Sequence, residues 1–270
     1  MIGIIFLSIL FIAYLFFGIT DLFTKFESNE LIKFIAGIIP FLYSLFSLVL
    51  KVNLKIYFWW TRVINRIKNP TTKWNIVVSF EGNFVQDLID KFENKLIDRN
   101  FINADVKIMH RNNQSLNFVI DETLNLYLDY ENSKFVNKTK DIVNICFPTF
   151  EISCNNSEKK LNEEIVPLLE KFKDYFKPDS SSYTLNIDFM GKNPFYSVFI
   201  DHIRLEQIDD FNVNLHFDKY SLDNRKDRVT IKKDEIHIIS VALNNFKELA
   251  KDFIFLSPDL AKMLKCKEGE

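Results

Sequence analysis

Two long apolar runs open the chain, and an alternating pattern of short strands and helices follows them. From Ile2 to Ile19 the residues are apolar apart from Ser8, and no charged side chain occurs in residues 1–20. As a helix, this run reaches ~27 Å, enough to cross a hydrocarbon core of ~30 Å. No Lys or Arg precedes it, and Phe16-Phe17-Gly18-Ile19 is no cleavage site, so a retained helix fits better than a secretory leader. A second run, Leu31 to Leu50, carries no charge from Phe34 onward and holds Pro40, which membrane helices tolerate. A run of that length is also compatible with a buried soluble helix. Two in tandem, separated by a short polar loop, predict a transmembrane hairpin with helices over about 2–19 and 34–50.

Within the second run Gly37, Pro40, Ser44 and Ser47 recur at spacings of three, four and three. Small residues let membrane helices approach, and hydroxyls bond across the contact. The stripe is expected to form a helix–helix interface, either with the first helix or between protomers, or to line a pore. No ionisable residue lies in the middle of either run, which argues against proton- or ion-coupled transport.

Past the second run the period stays helical but the character changes. In 51–68 the apolar positions Val52, Ile56, Trp59, Val63 and Ile67 are spaced by four, three, four and four, while Lys51, Lys55, Arg62 and Arg66 fall on another face. This predicts an amphipathic juxtamembrane helix, and Tyr57-Phe58-Trp59-Trp60 suits the membrane–water interface. Lys51, Lys55, Trp59, Trp60, Arg62 and Arg66 are the candidate interface residues. The helix either lies on the leaflet with its bases on anionic lipid or continues the second span as a stalk.

Asn69-Pro70-Thr71-Thr72 breaks this helix, dividing an anchor of residues 1–73 from a domain of residues 74–270. In the domain, Trp74–Phe80 reads as a strand. Asn83 then caps a predicted helix with Phe84, Leu88, Phe92 and Leu96 in steps of four. Alternating stretches follow at Ala104–Met109, Leu116–Leu128 and Ile142–Ser153, then a helix near Glu158–Phe176. Further strands are expected at Thr184–Phe189, Tyr196–Ile203, Val213–Phe217, Arg228–Ile231 and Ile236–Val241, before a helix holding Phe246, Leu249, Ala250 and Phe253 and a short one after Pro258. Strands outnumber helices and sit side by side, so the fold class is α+β with mainly antiparallel sheet. Asn75–Phe84 and Leu185–Phe195 share a strand followed by Phe-x-Gly, Asn and Phe. That match points to two related lobes enclosing a cleft.

Charge sharpens the division. Residues 1–73 hold three acids and eight bases, net +5, and the remainder nets −7, giving −2 overall. Residues 51–73 carry six bases and no acid, so the positive-inside rule places that segment, the N-terminus and the domain in the cytoplasm. The sequons at Asn113, Asn137 and Asn155 are then unused. An acidic domain repels phosphate, so non-specific nucleic-acid binding is not expected. Cys146, Cys154 and Cys266 lack metal-ligand spacing and read as reduced thiols, Cys146 and Cys154 on one face of a strand as core packing. Abundant Ile, Lys, Asn and Phe point to an AT-rich bacterial genome.

Chemistry is sparse. The domain has only Gly82, Gly191 and Gly269, too few and too scattered for a P-loop, a dinucleotide fingerprint or a nucleophile elbow. His110, His202, His216 and His237 belong to no metal motif. Asp201 beside His202, Asp218 near His216, the acid pairs Glu163-Glu164 and Asp209-Asp210 and the loop 223–228 read as solvated positions. No catalytic residue, cofactor or metal is expected. In organisation, two short spans followed by a motif-poor cytoplasmic domain, the chain resembles two-helix membrane effectors of bacterial anti-phage defence. That resemblance rests on architecture and carries no residue across. It implies an inner-membrane protein that senses a ligand, such as a nucleotide, or a protein partner, and that forms a homo-oligomer to open the bilayer. A membrane-tethered scaffold recruiting a protein partner is the alternative, and an enzyme assembled from scattered residues is a third.

Overall fold

The computed structural model describes residues 39–40, 42–50, 52–85, 87–98, 100–133, 139–191, 193–196, 212–217 and 227–255. They belong to two compact units, Met1–Tyr57 and Phe58–Glu270. In the first unit residues 42–50 are helical, and Leu42, Tyr43 and Leu48 are exposed. The backbone continues the helical bonds through Asn53, whose N–H donates to Val49 O at 2.9 Å and whose carbonyl accepts from Tyr57 N at 2.9 Å. Asn53 Oδ1 also accepts from the Lys55 and Ile56 amides at 3.1 and 3.3 Å, which caps the helix α1 (Leu54–Lys68). Among the described residues no helix is long and apolar enough to cross a membrane. The expected first span and the beginning of the second lie outside the described residues.

Helix α1 ends as its sequence demands. Asn69 adopts φ 45°, its N–H returns to Asn65 O at 2.8 Å, and Pro70 cannot extend the helix. The chain then enters β1 (Thr71–Gly82), followed by α2 (Leu88–Ile97). A four-strand meander comes next: β2 (Val106–Arg111), β3 (Ser115–Ile120), β4 (Leu124–Glu131) and β5 (Asp141–Ser153). The expected single stretch Leu116–Leu128 is thus a hairpin. Asp121 and Glu122 both take positive φ, 47° and 57°, and Thr123 N donates to Ile120 O at 3.2 Å. That mirror-image turn matches the twist of the paired strands.

After β5, α3 (Cys154–Lys159) widens into a π-helical stretch (Lys160–Ile165) and resumes as α4 (Val166–Phe176). The wide turns sit just ahead of Pro167, whose ring crowds the carbonyl four residues back and which has no N–H to return to it. Lys177 at φ 45° and Pro178 close the helix. Then come β6 (Ser180–Asp188), a helical turn at residues 194–196, β7 (Val213–Phe217), β8 (Asp227–Ile231), β9 (Glu235–Ser240) and α5 (Leu243–Phe255). Tyr196, expected to start a strand, belongs to the helical turn. The rest of that expected strand and the short helix after Pro258 lie outside the described residues.

The nine strands among the described residues form one antiparallel sheet in the order β2-β3-β4-β5-β1-β6-β9-β8-β7. Alternation along each strand sends one set of side chains into the core. Trp74, Ile76, Val78 and Phe80 of β1 are fully buried, as are Val143, Ile145 and Phe147 of β5 and Tyr183 and Leu185 of β6. The helices cover this face. Phe80 meets Phe176 of α4 with ring centroids 5.7 Å apart, Phe118 meets Phe92 of α2 edge-on at 6.1 Å, and Tyr183 meets Phe246 of α5 at 5.7 Å. Phe84, expected inside the first helix, lies in the loop before Asp87, the residue that caps α2, and packs its ring on Phe176 at 6.0 Å.

The element order repeats. Among the described residues, β1 and β6 are each followed by a helical segment, an antiparallel meander and a long helix, and the two strands pair at the centre. Aligning Phe80-Glu81-Gly82 with Phe189-Met190-Gly191 places Ile76 opposite Leu185, its own counterpart, so a local two-fold axis passes between them. The halves therefore share one sheet instead of facing each other across a cleft. Their glycines differ in role. A Cβ on Gly82 would meet the Phe84 ring at 3.3 Å, whereas at Gly191 only Phe189 O comes within 4 Å, at 3.9 Å.

Candidate functional surfaces

The residues singled out in the anchor behave differently from one another. Gly37 and Lys51 lie outside the described residues. Pro40 and Ser44 are exposed and Ser47 is half-buried on the helical segment of the first unit. On α1, Lys55, Trp59 and Arg66 are exposed, and Trp60 and Arg62 are half-buried. The Trp59 and Trp60 rings lie 6.2 Å apart.

Sequence periodicity identifies the amphipathic helix, but the residue that docks it is not part of the apolar stripe. Phe58 is 1% exposed and packs its ring on Phe195 at 5.8 Å, and Phe195 in turn meets Phe253 of α5 at 5.3 Å. The other end of α1 is tied to the start of α3. Asn155 Nδ2 donates to Arg66 O at 3.2 Å, the Asn155 amide donates to Asn69 Oδ1 at 3.0 Å, and the Cys154 amide donates to Pro70 O at 2.9 Å.

A second surface was not evident from the sequence. The sheet face opposite the helices is covered by no described element, and its side chains, Ser115 apart, are half-buried or exposed. Strand register places Asn75, Asn186, His237, Thr230 and Asn214 side by side across β1, β6, β9, β8 and β7. At ~4.8 Å per strand this row spans ~19 Å. Its members bond along and beside it. Thr230 Oγ1 donates to Asn214 Oδ1 at 2.7 Å, and Asn75 Nδ2 donates to Phe147 O at 3.2 Å. His237 Nδ1 bonds Asn186 Oδ1. An amide oxygen accepts only, so Nδ1 carries the proton and Nε2 is left as an acceptor. Burial, then Arg228 and Lys232, push the His237 pKa below its ordinary value, which favours the neutral ring.

The other half of this face is also polar. Ser79 Oγ donates to Asn144 Oδ1 at 2.6 Å, and Asn144 Nδ2 donates to Glu131 at 3.4 Å. Tyr127 stands exposed between Asn117 and Cys146 in the cross-strand register. Burial and then the charge of Glu131 raise the Asp129 pKa. Cys146 opens onto this face, and burial raises its thiol pKa. Cys154, in contrast, begins α3, so the two thiols do not share the strand face expected of them.

The remaining chemical candidates stay dispersed. Glu163 and Glu164 pair with Lys159 and Lys160 on the helix surface, and His110 and His216 are exposed on β2 and β7. Asp201, His202, Asp209, Asp210 and Asp218 lie outside the described residues. Among the described residues no three His, Cys, Asp or Glu side chains are grouped to hold a metal. A cleft of about 330 Å³ on the helical side, between α4 and the start of α5, is lined by Glu170, Lys173, Asp174, Ala242, Leu243 and Asn244. Its charged lining mixes signs, with Lys173 between Glu170 and Asp174 in sequence.

No protein-family model matches the chain, and no curated protein matches it. A solved structure that aligns with it is the aspartate kinase of Clostridium acetobutylicum, described as an important allosteric enzyme for industrial amino acids production. The identity is 11% and the TM-score 0.20; the alignment covers 68% of this chain and 33% of the kinase chain. A likeness at that TM-score carries no argument about fold or activity.

Proposed function

We propose that this chain is a membrane-anchored effector. Its N-terminal apolar runs form a two-helix hairpin in the bacterial inner membrane. The folded α+β unit, on the cytoplasmic side, senses a ligand or partner on its open sheet face. The hairpin answers by self-association, or by permeabilising the bilayer, through Gly37, Pro40, Ser44 and Ser47. Defence against phage is the biological setting that this organisation favours. The observation that carries the sensing role is the row Asn75–Asn186–His237–Thr230–Asn214, a line of donors and acceptors presented on an uncovered sheet. Polar groups set in a fixed register recognise a partner with little ordering cost.

A membrane-tethered scaffold that recruits a protein is the second reading, and the breadth of this face favours it. Acids such as Glu81, Asp129, Glu131, Asp188 and Glu235 outnumber the bases Lys73, Lys107 and Arg228 there, an arrangement that disfavours a nucleic-acid strand.

A thermal-shift screen on the full chain in nanodiscs, including cyclic and linear nucleotides, tests the sensor. A ligand at 100 times its Kd stabilises by ~2.7 kcal/mol. The shift should vanish in Asn75→Ala, Asn186→Ala protein whose unliganded melting is unchanged. Loss of membrane potential on induction tests the effector arm. Cells that keep full potential with the ligand present would remove it and leave the scaffold.

A further inference from the structure

We infer that the open sheet face takes an extended, basic polypeptide segment of a partner protein, laid across the strands and read through its main chain. The inference rests on the sensing role proposed for this face and names the class of partner. The first observation is which atoms of the polar row are left over. Asn75 Nδ2 is engaged by Phe147 O at 3.2 Å, Asn186 Oδ1 by His237 Nδ1, and Asn214 Oδ1 by the Thr230 hydroxyl at 2.7 Å. These bonds turn each amide one way. Asn75 Oδ1, Asn186 Nδ2, His237 Nε2 and Asn214 Nδ2 have no partner among the described residues. They present an acceptor, a donor and an acceptor on β1, β6 and β9, and a donor on β7, with the Thr230 oxygen between the last two. A polypeptide main chain carries the matching alternation, one N–H and one C=O per residue. A phosphodiester chain offers acceptors, and its oxygens would face the lone pairs of Asn75 and His237. Sugar hydroxyls donate and accept at every oxygen, so they require no fixed order. At ~3.3–3.6 Å per residue, a row of ~19 Å matches about five to six extended residues.

The second observation is charge. Acids outnumber bases on this face, and two of them flank the row. Asp188 and Glu235 stand directly opposite each other on β6 and β9, two residues along from Asn186 and His237. Like charges so placed repel. Lys73 is opposite Asp188 in register, but its ammonium turns to Glu151 at 3.6 Å. Glu235 bonds Lys232, and Asp188 Oδ1 accepts from the Met190 amide at 2.7 Å. A Lys or Arg side chain branching from a segment seated on the row reaches the Asp188 carboxylate, ~7 Å away along the strand. The acidic excess favours a cationic partner and disfavours a second copy of the same face.

Peptide selection on the intact protein tests this. The full chain, in nanodiscs of zwitterionic phosphatidylcholine, is panned with a phage-displayed random-peptide library against empty nanodiscs. Selected sequences are then measured as free labelled peptides by fluorescence anisotropy. They should be rich in Lys and Arg, and their binding should weaken as salt is raised. Asn186→Ala and Asn214→Ala should each weaken binding about fivefold, the worth of one hydrogen bond. Asn214 is exposed on β7, so Asn214→Ala keeps the test open should Asn186→Ala fail to fold. Asp188→Asn should lower the affinity and flatten its salt dependence. N-methylation of alternate peptide amides should abolish binding, because it removes main-chain donors and leaves every side chain in place. Selection of no peptide, or of acidic ones, overturns the inference. So do affinities indifferent to Asn186→Ala, Asn214→Ala and N-methylation. A nucleotide whose stabilising effect is lost in Asn75→Ala, Asn186→Ala protein, with no peptide bound, overturns the peptide and leaves the sensing face standing; silence from both overturns both.

Discussion

Truncating Phe58 to alanine should release α1 from the folded unit without unfolding the sheet. The ring is 1% exposed and sits 5.8 Å from Phe195. Removing it takes roughly 120 Å² of apolar surface out of burial, worth ~3 kcal/mol at ~25 cal/mol/Å². The lost ring pair adds ~0.5–1.5 kcal/mol. Direct Phe→Ala measurements in cores span ~3–5 kcal/mol, in agreement. The loss cannot exceed the docking free energy of α1, because the helix sits at the margin of the core and can lift away. The expected penalty is therefore ~3 kcal/mol, about two orders of magnitude in the local opening equilibrium. Hydrogen exchange on the full chain in nanodiscs reads this directly. Amides of residues 58–68 should exchange ~100-fold faster, those of β1, β5 and β6 unchanged, and Phe58→Leu should restore most of the protection. Less than a threefold change in α1, or an equal acceleration throughout the sheet, would refute the claim that this one ring fastens the helix.

Further outcomes follow from the buried polar groups and the core. Asp141 is nearly buried, which by itself raises its pKa, but donors from Ser133 N at 2.8 Å, Phe84 N at 3.2 Å and Tyr130 OH at 3.2 Å outweigh burial and leave it lowered. Its stabilisation is present above the unfolded value of ~3.9 and is lost as pH falls through the folded pKa. Asp141→Asn should cost ~2–3 kcal/mol at neutral pH in chemical denaturation and flatten the acid limb. The lowered pKa of His237 has the same sign: its contribution is full above ~6.5 and declines below it until the folded pKa is passed. Substitution by Gln should remove that slope from stability measured between mildly acidic and neutral pH. Phe92 meets Phe101, Phe118, Phe172, Tyr175 and Phe176, so Phe92→Ala should cost ~4 kcal/mol and weaken the near-ultraviolet dichroism of the first half.

The two surfaces place different demands on the same unit. The helix-covered face of the sheet is closed by aromatic packing, which holds β1 and β6 in one rigid centre. The open face inherits that rigidity, so its polar row is presented in a defined order. Helix α1 is fastened to the second half by Phe58 and to the start of α3 by Asn155.

Local pattern was enough to identify an antiparallel α+β fold, because period-2 alternation and turn residues are properties of neighbouring positions. Val213–Phe217 falls where alternation places it, and β5, β8 and β9 fall within a residue of their expected bounds. The breaks at Asn69-Pro70 and Lys177-Pro178 were equally legible, since proline and left-handed residues act on the chain beside them. What periodicity could not supply was partnership across the sheet. Five residues scattered from Asn75 to His237 become a row only through the register of five strands. Cys146 and Cys154 part company because the strand ends at Ser153. The stripe on α1 was readable as amphipathic, but the side that docks was not. One buried Phe58 against Phe195 turned the stripe outward, and that choice is made by long-range packing, which no local spacing records.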